Sequence, residues 1–79
     1  MVKKLYLDAI VKPEGTVWFS LVFENPTTFF VEELHDSNLP FVKHRVETIS
    51  AADLDDRTIN GVSMKKLVAA KLNEVYGFS

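Results

Sequence analysis

The chain's most informative stretch is Thr16–Glu24, which reads TVWFSLVFE and is apolar on both sides if it forms a strand. Side chains of a strand point alternately to its two faces. One face then carries a run of bulky apolar residues: Val17, Phe19, Leu21 and Phe23. The other face carries Trp18 and Val22. Both apolar faces of such a strand have to be shielded from water. The number of other elements that pack on them therefore decides the fold and whether one face is left exposed for binding.

The preceding segment, Leu5–Val11, alternates in the same way and predicts a first strand. Lys12–Gly15 (KPEG) then forms a turn, because proline presets φ and glycine tolerates positive φ. A five-residue loop, Lys12–Thr16, would place the apolar members of the first strand opposite the Phe19 face: Leu5, Leu7, Ala9 and Val11. The same register puts Tyr6 and Ile10 on the Trp18 face.

Asn25-Pro26 marks the next turn, and a loop over Glu24–Thr28 leads into a third strand, Thr28–Leu34. This register adds Phe29 and Val31 to the Phe19 face, and Phe30 and Leu34 to the Trp18 face. His35–Pro40 is polar and predicts a loop. Phe41–Ile49 predicts a fourth strand, whose charged face is typical of an exposed edge.

The C-terminal part predicts helix. Ser50–Asp53 has the spacing of a capping box and predicts a helical turn or two ending by Arg57. From Val62 to Tyr76 the apolar residues recur at helical spacing, and Gly77 is a candidate C-cap. We therefore predict an α+β fold, with an antiparallel meander of three to four strands and one C-terminal amphipathic helix packed on one face.

Composition narrows the class of protein. A chain of 79 residues with 47% hydrophobic residues predicts a single small globular domain over residues 1–79. The net charge of −2 argues against general nucleic-acid binding. The chain has no cysteine, no signal-peptide pattern and no apolar run of about 20 residues. We expect a cytoplasmic protein without a membrane segment.

If the helix covers the Phe19 face, the opposite face keeps an apolar patch: Tyr6, Ile10, Trp18, Val22, Phe30 and Leu34. Patches of a few hundred Å² usually mark interaction sites, and tryptophan and tyrosine are enriched at binding hot spots. The sequence therefore predicts a non-enzymatic protein-interaction module, such as a regulator, inhibitor or adaptor. The partner is expected to be another protein or a second copy of the chain.

An alternative arises in residues 53–74. Gly61-Val62-Ser63 followed by Leu67 resembles the turn and the start of the recognition helix in helix-turn-helix DNA-binding domains. The resemblance implies a DNA-binding protein, with contacts from one capping serine and three lysines: Ser63, Lys65, Lys66 and Lys71. The sequence departs from the pattern at Arg57, where a small residue is usual, and at Asn60, where an apolar one is usual.

Metal binding and catalysis have weaker support. The run Glu32–Asp36, with His44 elsewhere, offers carboxylate and imidazole groups, but Glu32 and Glu33 point to opposite faces of a strand. The histidines, aspartates and serines show no spacing that links a nucleophile to a base. We expect no catalytic residue, no metal site and no cofactor.

Overall fold

The fold is built on an antiparallel meander whose four strands follow one another across the sheet in chain order. A computed structural model describes residues 1–40 and 44–77. The strands are β1 (Lys3–Lys12), β2 (Gly15–Asn25), β3 (Thr28–Ser37) and β4 (Arg45–Ser50). They are followed by a short 3-10 helix (Ala51–Asp53), a small hairpin of β5 (Thr58–Ile59) and β6 (Val62–Ser63), and the helix α1 (Met64–Tyr76). The predicted α+β fold is confirmed.

The helix packs on one face of the sheet, which we call the inner face. This face contributes Phe19, Leu21, Phe23, Val31 and Ile49 to the buried core. The elements after β4 contribute Leu54, Ile59, Met64, Val68 and Leu72. Gly77 ends α1 as predicted, with φ of 71° and its N–H donating to the carbonyl of Asn73 at 2.7 Å. Among the described residues, no helix has the length and apolar character needed to cross a bilayer.

The register of β1 against β2 differs from the prediction. The connecting loop is Pro13-Glu14, two residues rather than five, so Ile10 pairs with Val17. The register then shifts between Tyr6 and Asp8, which leaves Leu7 as the extra residue of a β-bulge. Because a bulge adds one residue to the strand, each side chain beyond it points to the face opposite the one that regular alternation predicts. Leu5 and Leu7 still pack against the core, as predicted, but beyond the bulge Ile10 packs there in place of Val11.

The hairpin of β5 and β6 holds this bulge in place. Its turn, Asn60-Gly61, has positive φ at both residues, 52° and 82°, as a two-residue primed turn requires. The Asn60 side chain donates to the carbonyl oxygen of Ala9 at 2.9 Å and lies 3.4 Å from Oδ2 of Asp8. The turn therefore docks on β1 beside its extra residue.

The predicted helix-turn-helix at residues 53–74 is wrong. Between the 3-10 helix and α1 the described chain forms the β5–β6 hairpin, and a first helix is absent there. Asn60 and Gly61 adopt left-handed backbone that suits a hairpin turn, and the preceding helical turn ends at Asp53 rather than Arg57. Ser50 does pair with Asp53, through Oγ to Oδ2 at 2.9 Å.

The pairing of β2 with β3 agrees with the prediction, because Phe23 lies opposite Phe29 and Leu21 opposite Val31. The turn itself is shorter than predicted. The Asn25 side chain accepts hydrogen bonds from the backbone N–H groups of Thr27 and Thr28, both at 2.9 Å, which closes a two-residue loop. The described part of the fourth strand begins at Arg45, and the predicted positions 41–43 lie outside the described residues.

Candidate interaction surface

The face of the sheet opposite α1, which we call the outer face, is crossed by a row of apolar side chains. Trp18 in β2 lies between Ala9 in β1 and Leu34 in β3, and Leu34 pairs with Val46 in β4. Tyr6 lies beside this row, with its ring centroid 6.2 Å from that of Trp18. We call Tyr6, Trp18, Leu34 and Val46 the aromatic patch.

The aromatic patch is open to solvent. Tyr6 and Val46 are exposed, and Trp18 is 41% exposed although it lies in a central strand. Its strand neighbours Phe19 and Leu21 are buried by α1 and the segments before it. Within residues 1–40 and 44–77, the elements after β4 contribute their buried side chains to the inner face, so the aromatic patch keeps its accessible surface.

A second apolar region lies at the other end of the outer face. Val22 pairs with Phe30, and Phe30 is exposed. Val22 is buried but does not belong to the core cluster. Val2, Val22 and Phe30 line a hollow of about 180 Å³ at this end of the sheet, together with Phe23, Phe29 and the polar residues Glu24 and Thr28. An apolar cavity of about 150 Å³ accommodates benzene, so the hollow has room for one apolar side chain.

A polar row separates these two regions. Ser20, Glu32 and Thr48 lie side by side on the three strands β2, β3 and β4. Lys4 reaches across β2 and forms an ion pair with Glu32. The outer face therefore has two apolar regions with a hydrogen-bonding strip between them.

The structure brings most of the predicted patch together on the outer face: Tyr6, Trp18, Val22, Phe30 and Leu34. The placement of Ile10 on this face was wrong, because the bulge at Leu7 turns Ile10 toward the core. Val11 takes the outer position instead and is exposed. Val46 was missed, although its alternation with Arg45 and Glu47 places it on the face opposite those charges.

The residues assigned to DNA contact do not form a basic surface. Lys65 pairs with Asp55 at 3.0 Å, and Lys71 pairs with Glu74 at 3.3 Å. Ser63 precedes α1 without a side-chain capping bond. Lys66 is exposed on the same helix. Acidic neighbours therefore offset two of the three lysines that the helix-turn-helix resemblance singled out.

Comparison with known proteins gives no match: no protein-family profile, curated protein or solved structure resembles this chain at a significant level.

Proposed function

We propose that this protein is a non-enzymatic interaction module that binds a protein partner through the outer face of its sheet. The observation that carries the proposal is the exposure of Trp18 and Tyr6 on a sheet face that no described element covers. A small domain gains stability by burying its large aromatic side chains, so leaving two of them accessible indicates another use for them. Tryptophan and tyrosine are also the residues most enriched at binding hot spots.

The area of the outer face limits the kind of protein complex that it can form. Strands lie about 4.8 Å apart and rise about 3.3 Å per residue, so the outer face of this four-stranded sheet has a flat footprint on the order of 500 Å², and the accessible surface of its side chains is larger. Obligate assemblies bury about 1,000 Å² or more of accessible surface on each partner. The outer face is therefore suited to a complex of ordinary or small size with one protein rather than to an obligate assembly.

The chemistry of the outer face indicates what a partner supplies. The hollow beside Val22 and Phe30 accepts one apolar anchor side chain. The strip with Ser20, Glu32 and Thr48 offers hydrogen bonds that fix the register of the partner. A second copy of the chain meets the same requirements when the two outer faces pack on each other, which gives a dimer with two-fold symmetry. The proposed compartment is the cytoplasm, since a chain without cysteine fits a reducing environment.

Affinity capture from the source cell tests the proposal with three forms of the tagged chain: wild type, Trp18→Glu and Val62→Glu. Val62 is a matched control, because it is 44% exposed, close to the 41% of Trp18, and lies on the β5–β6 hairpin away from the outer face. We expect one protein to co-purify with the wild type and with Val62→Glu, and to be lost with Trp18→Glu.

Circular dichroism and thermal unfolding of each form must accompany the capture. The proposal requires Trp18→Glu to keep the wild-type spectrum and a cooperative transition. Retention of the same partner by folded Trp18→Glu would contradict the proposal, as would equal loss with both variants. Unfolding of Trp18→Glu would show that Trp18 belongs to the structural core, which also contradicts it.

A further inference from the structure

Near the end of β3 and the start of β4, the inner face carries charged side chains. Glu33 and His35 lie two residues apart on β3 and therefore share this face. Glu47 and Arg45 lie opposite them on β4. This cluster is on the side of the sheet away from the aromatic patch, so what it binds is independent of the proposed function.

Two carboxylates of the cluster face each other. Glu33 and Glu47 are direct cross-strand partners, an arrangement that is destabilising for like charges. The Glu33 side chain is only 10% exposed. A carboxylate buried to that extent requires a cation or strong hydrogen bonds nearby. The pair of Glu33 and Glu47 therefore needs more positive charge nearby than two glutamates exposed to solvent would need.

The imidazole of His35 points between these carboxylates. Its Nε2 atom lies 3.4 Å from Oε1 of Glu33 and 3.8 Å from Oε2 of Glu47. In the described part of the chain, Nε2 is shielded from solvent and has no hydrogen-bond partner. One ligand atom from each of the three residues lies within 4.8 Å of the other two.

Among the residues that the structure describes, Arg45 supplies the one permanent positive charge at this cluster. Its Nε lies 3.2 Å from Oε1 of Glu47, and its Nη2 lies 3.5 Å from Nδ1 of His35. With His35 neutral, one guanidinium faces two carboxylates, so the described residues leave one negative charge without compensation. The buried carboxylate of Glu33 has His35 as its one ion-pair partner among the described residues.

We propose that Glu33, His35 and Glu47 bind a divalent transition-metal ion of the Zn²⁺ type. One imidazole nitrogen and two carboxylate oxygens are a ligand set that Zn²⁺ accepts, and three protein ligands leave a fourth position for water. The ion supplies the missing positive charge and gives Nε2 a partner.

Arg45 competes with the metal in this arrangement. Coordination through Nε2 leaves the ring proton on Nδ1, and a guanidinium has no acceptor for that proton. Arg45 must therefore turn away from Nδ1 when the ion binds. A glutamine at this position would instead offer a carbonyl oxygen to Nδ1–H, so Arg45→Gln should bind the metal more tightly than the wild type.

Isothermal titration with Zn²⁺ tests the proposal, using the full chain and four variants. We expect the wild type to bind one ion in the micromolar range, His35→Ala and Glu33→Gln to weaken binding by at least about tenfold, and Arg45→Gln to strengthen it several-fold. His44→Ala is the matched control and should bind as the wild type does. The chain has only two histidines, and His44 forms a separate pair with Asp36 at 3.0 Å.

Each variant must first show the wild-type circular dichroism spectrum, and Glu33→Gln preserves side-chain shape if His35→Ala does not fold. Absorption of the Co²⁺-loaded protein adds a readout of imidazole and carboxylate coordination. No Zn²⁺ binding by the wild type would overturn the proposal and leave His35 as an internal partner of the two glutamates. Unchanged binding in Glu33→Gln, or loss in His44→Ala, would overturn it as well.

Discussion

Along β2, some side chains are buried in the core and others are exposed on the outer face. Leu21 is fully buried against α1, whereas Trp18 points to the outer face and keeps much of its ring accessible. The two residues are three positions apart in one strand, so alternation alone separates their roles. Their substitutions should therefore have very different effects on stability.

Leu21→Ala should lower the free energy of unfolding by about 2 to 5 kcal/mol, because it leaves a cavity in the core. Trp18→Glu should lower it by less, because 41% of Trp18 is already exposed and the new carboxylate reaches solvent. Urea unfolding followed by circular dichroism measures both values. A loss for Trp18→Glu as large as that for Leu21→Ala would mean that the outer face is covered.

Asn60 should stabilise the fold in two separable ways. Asn60→Gly removes the hydrogen bond to Ala9 and keeps the left-handed backbone, so we expect a loss of about 0.5 to 1.5 kcal/mol. Asn60→Ala also strains a residue whose φ is 52°, which should add about 1 kcal/mol. Thermal unfolding of both variants measures the difference. Equal stability of Asn60→Gly and Asn60→Ala would show that the left-handed backbone at this position does not affect the free energy of unfolding.

At the level of whole elements, alternation predicted the strands well where pairing is regular. The pairing of β2 with β3, and with it the placement of Phe30 and Leu34, followed from the apolar pattern. The register of β1 did not, because Leu7 is an extra residue and the face reverses beyond it. The Asn60 side chain that supports this bulge lies 51 residues from Ala9, so no local pattern reveals it.

The same limits apply to the candidate sites. Alternation placed Trp18 on the outer face, but the bulge removed Ile10 from it. The run Glu32–Asp36 was considered as a metal site without Glu47, since bringing Glu47 to Glu33 and His35 requires β4 to pair directly with β3. The sequence places Glu33 and His35 on one face, but local patterns do not specify which residue of β4 lies opposite them.

Gly15→Ala should weaken the end of the sheet where β2 pairs with β3. Gly15 lies opposite Ser37, and a methyl group there would overlap the backbone carbonyl oxygen of Asp36. Backbone atoms have to shift to relieve such an overlap, so we expect a loss of about 1 to 3 kcal/mol. Thermal unfolding measures this loss, with Glu14→Ala as the exposed neighbouring control. Wild-type stability of Gly15→Ala would show that the two strands separate there.

At the level of the whole molecule, one small sheet presents two different surfaces. The inner face combines the core beneath α1 with the Glu33, His35 and Glu47 cluster. The outer face carries the aromatic patch. A net charge of −2 on 79 residues gives little repulsion between copies, so area and shape decide whether the free chain associates with itself.

The free protein should sediment as a single species of 9.0 kDa at about 10 µM, because the outer face is smaller than the surfaces that hold obligate dimers together. Sedimentation velocity over a range of concentrations measures this. A dimer that persists throughout the range would contradict the non-obligate complex proposed for the outer face.

Site-specific photo-crosslinking tests the central claim most directly, because it reports what touches the outer face in the cell. The photoreactive residue p-benzoylphenylalanine replaces Trp18 in one form of the chain and Val62 in a control form with similar exposure. We predict one discrete adduct with another protein from position 18 and no such adduct from position 62. The absence of an adduct at position 18, or the same adducts from both positions, would contradict the account.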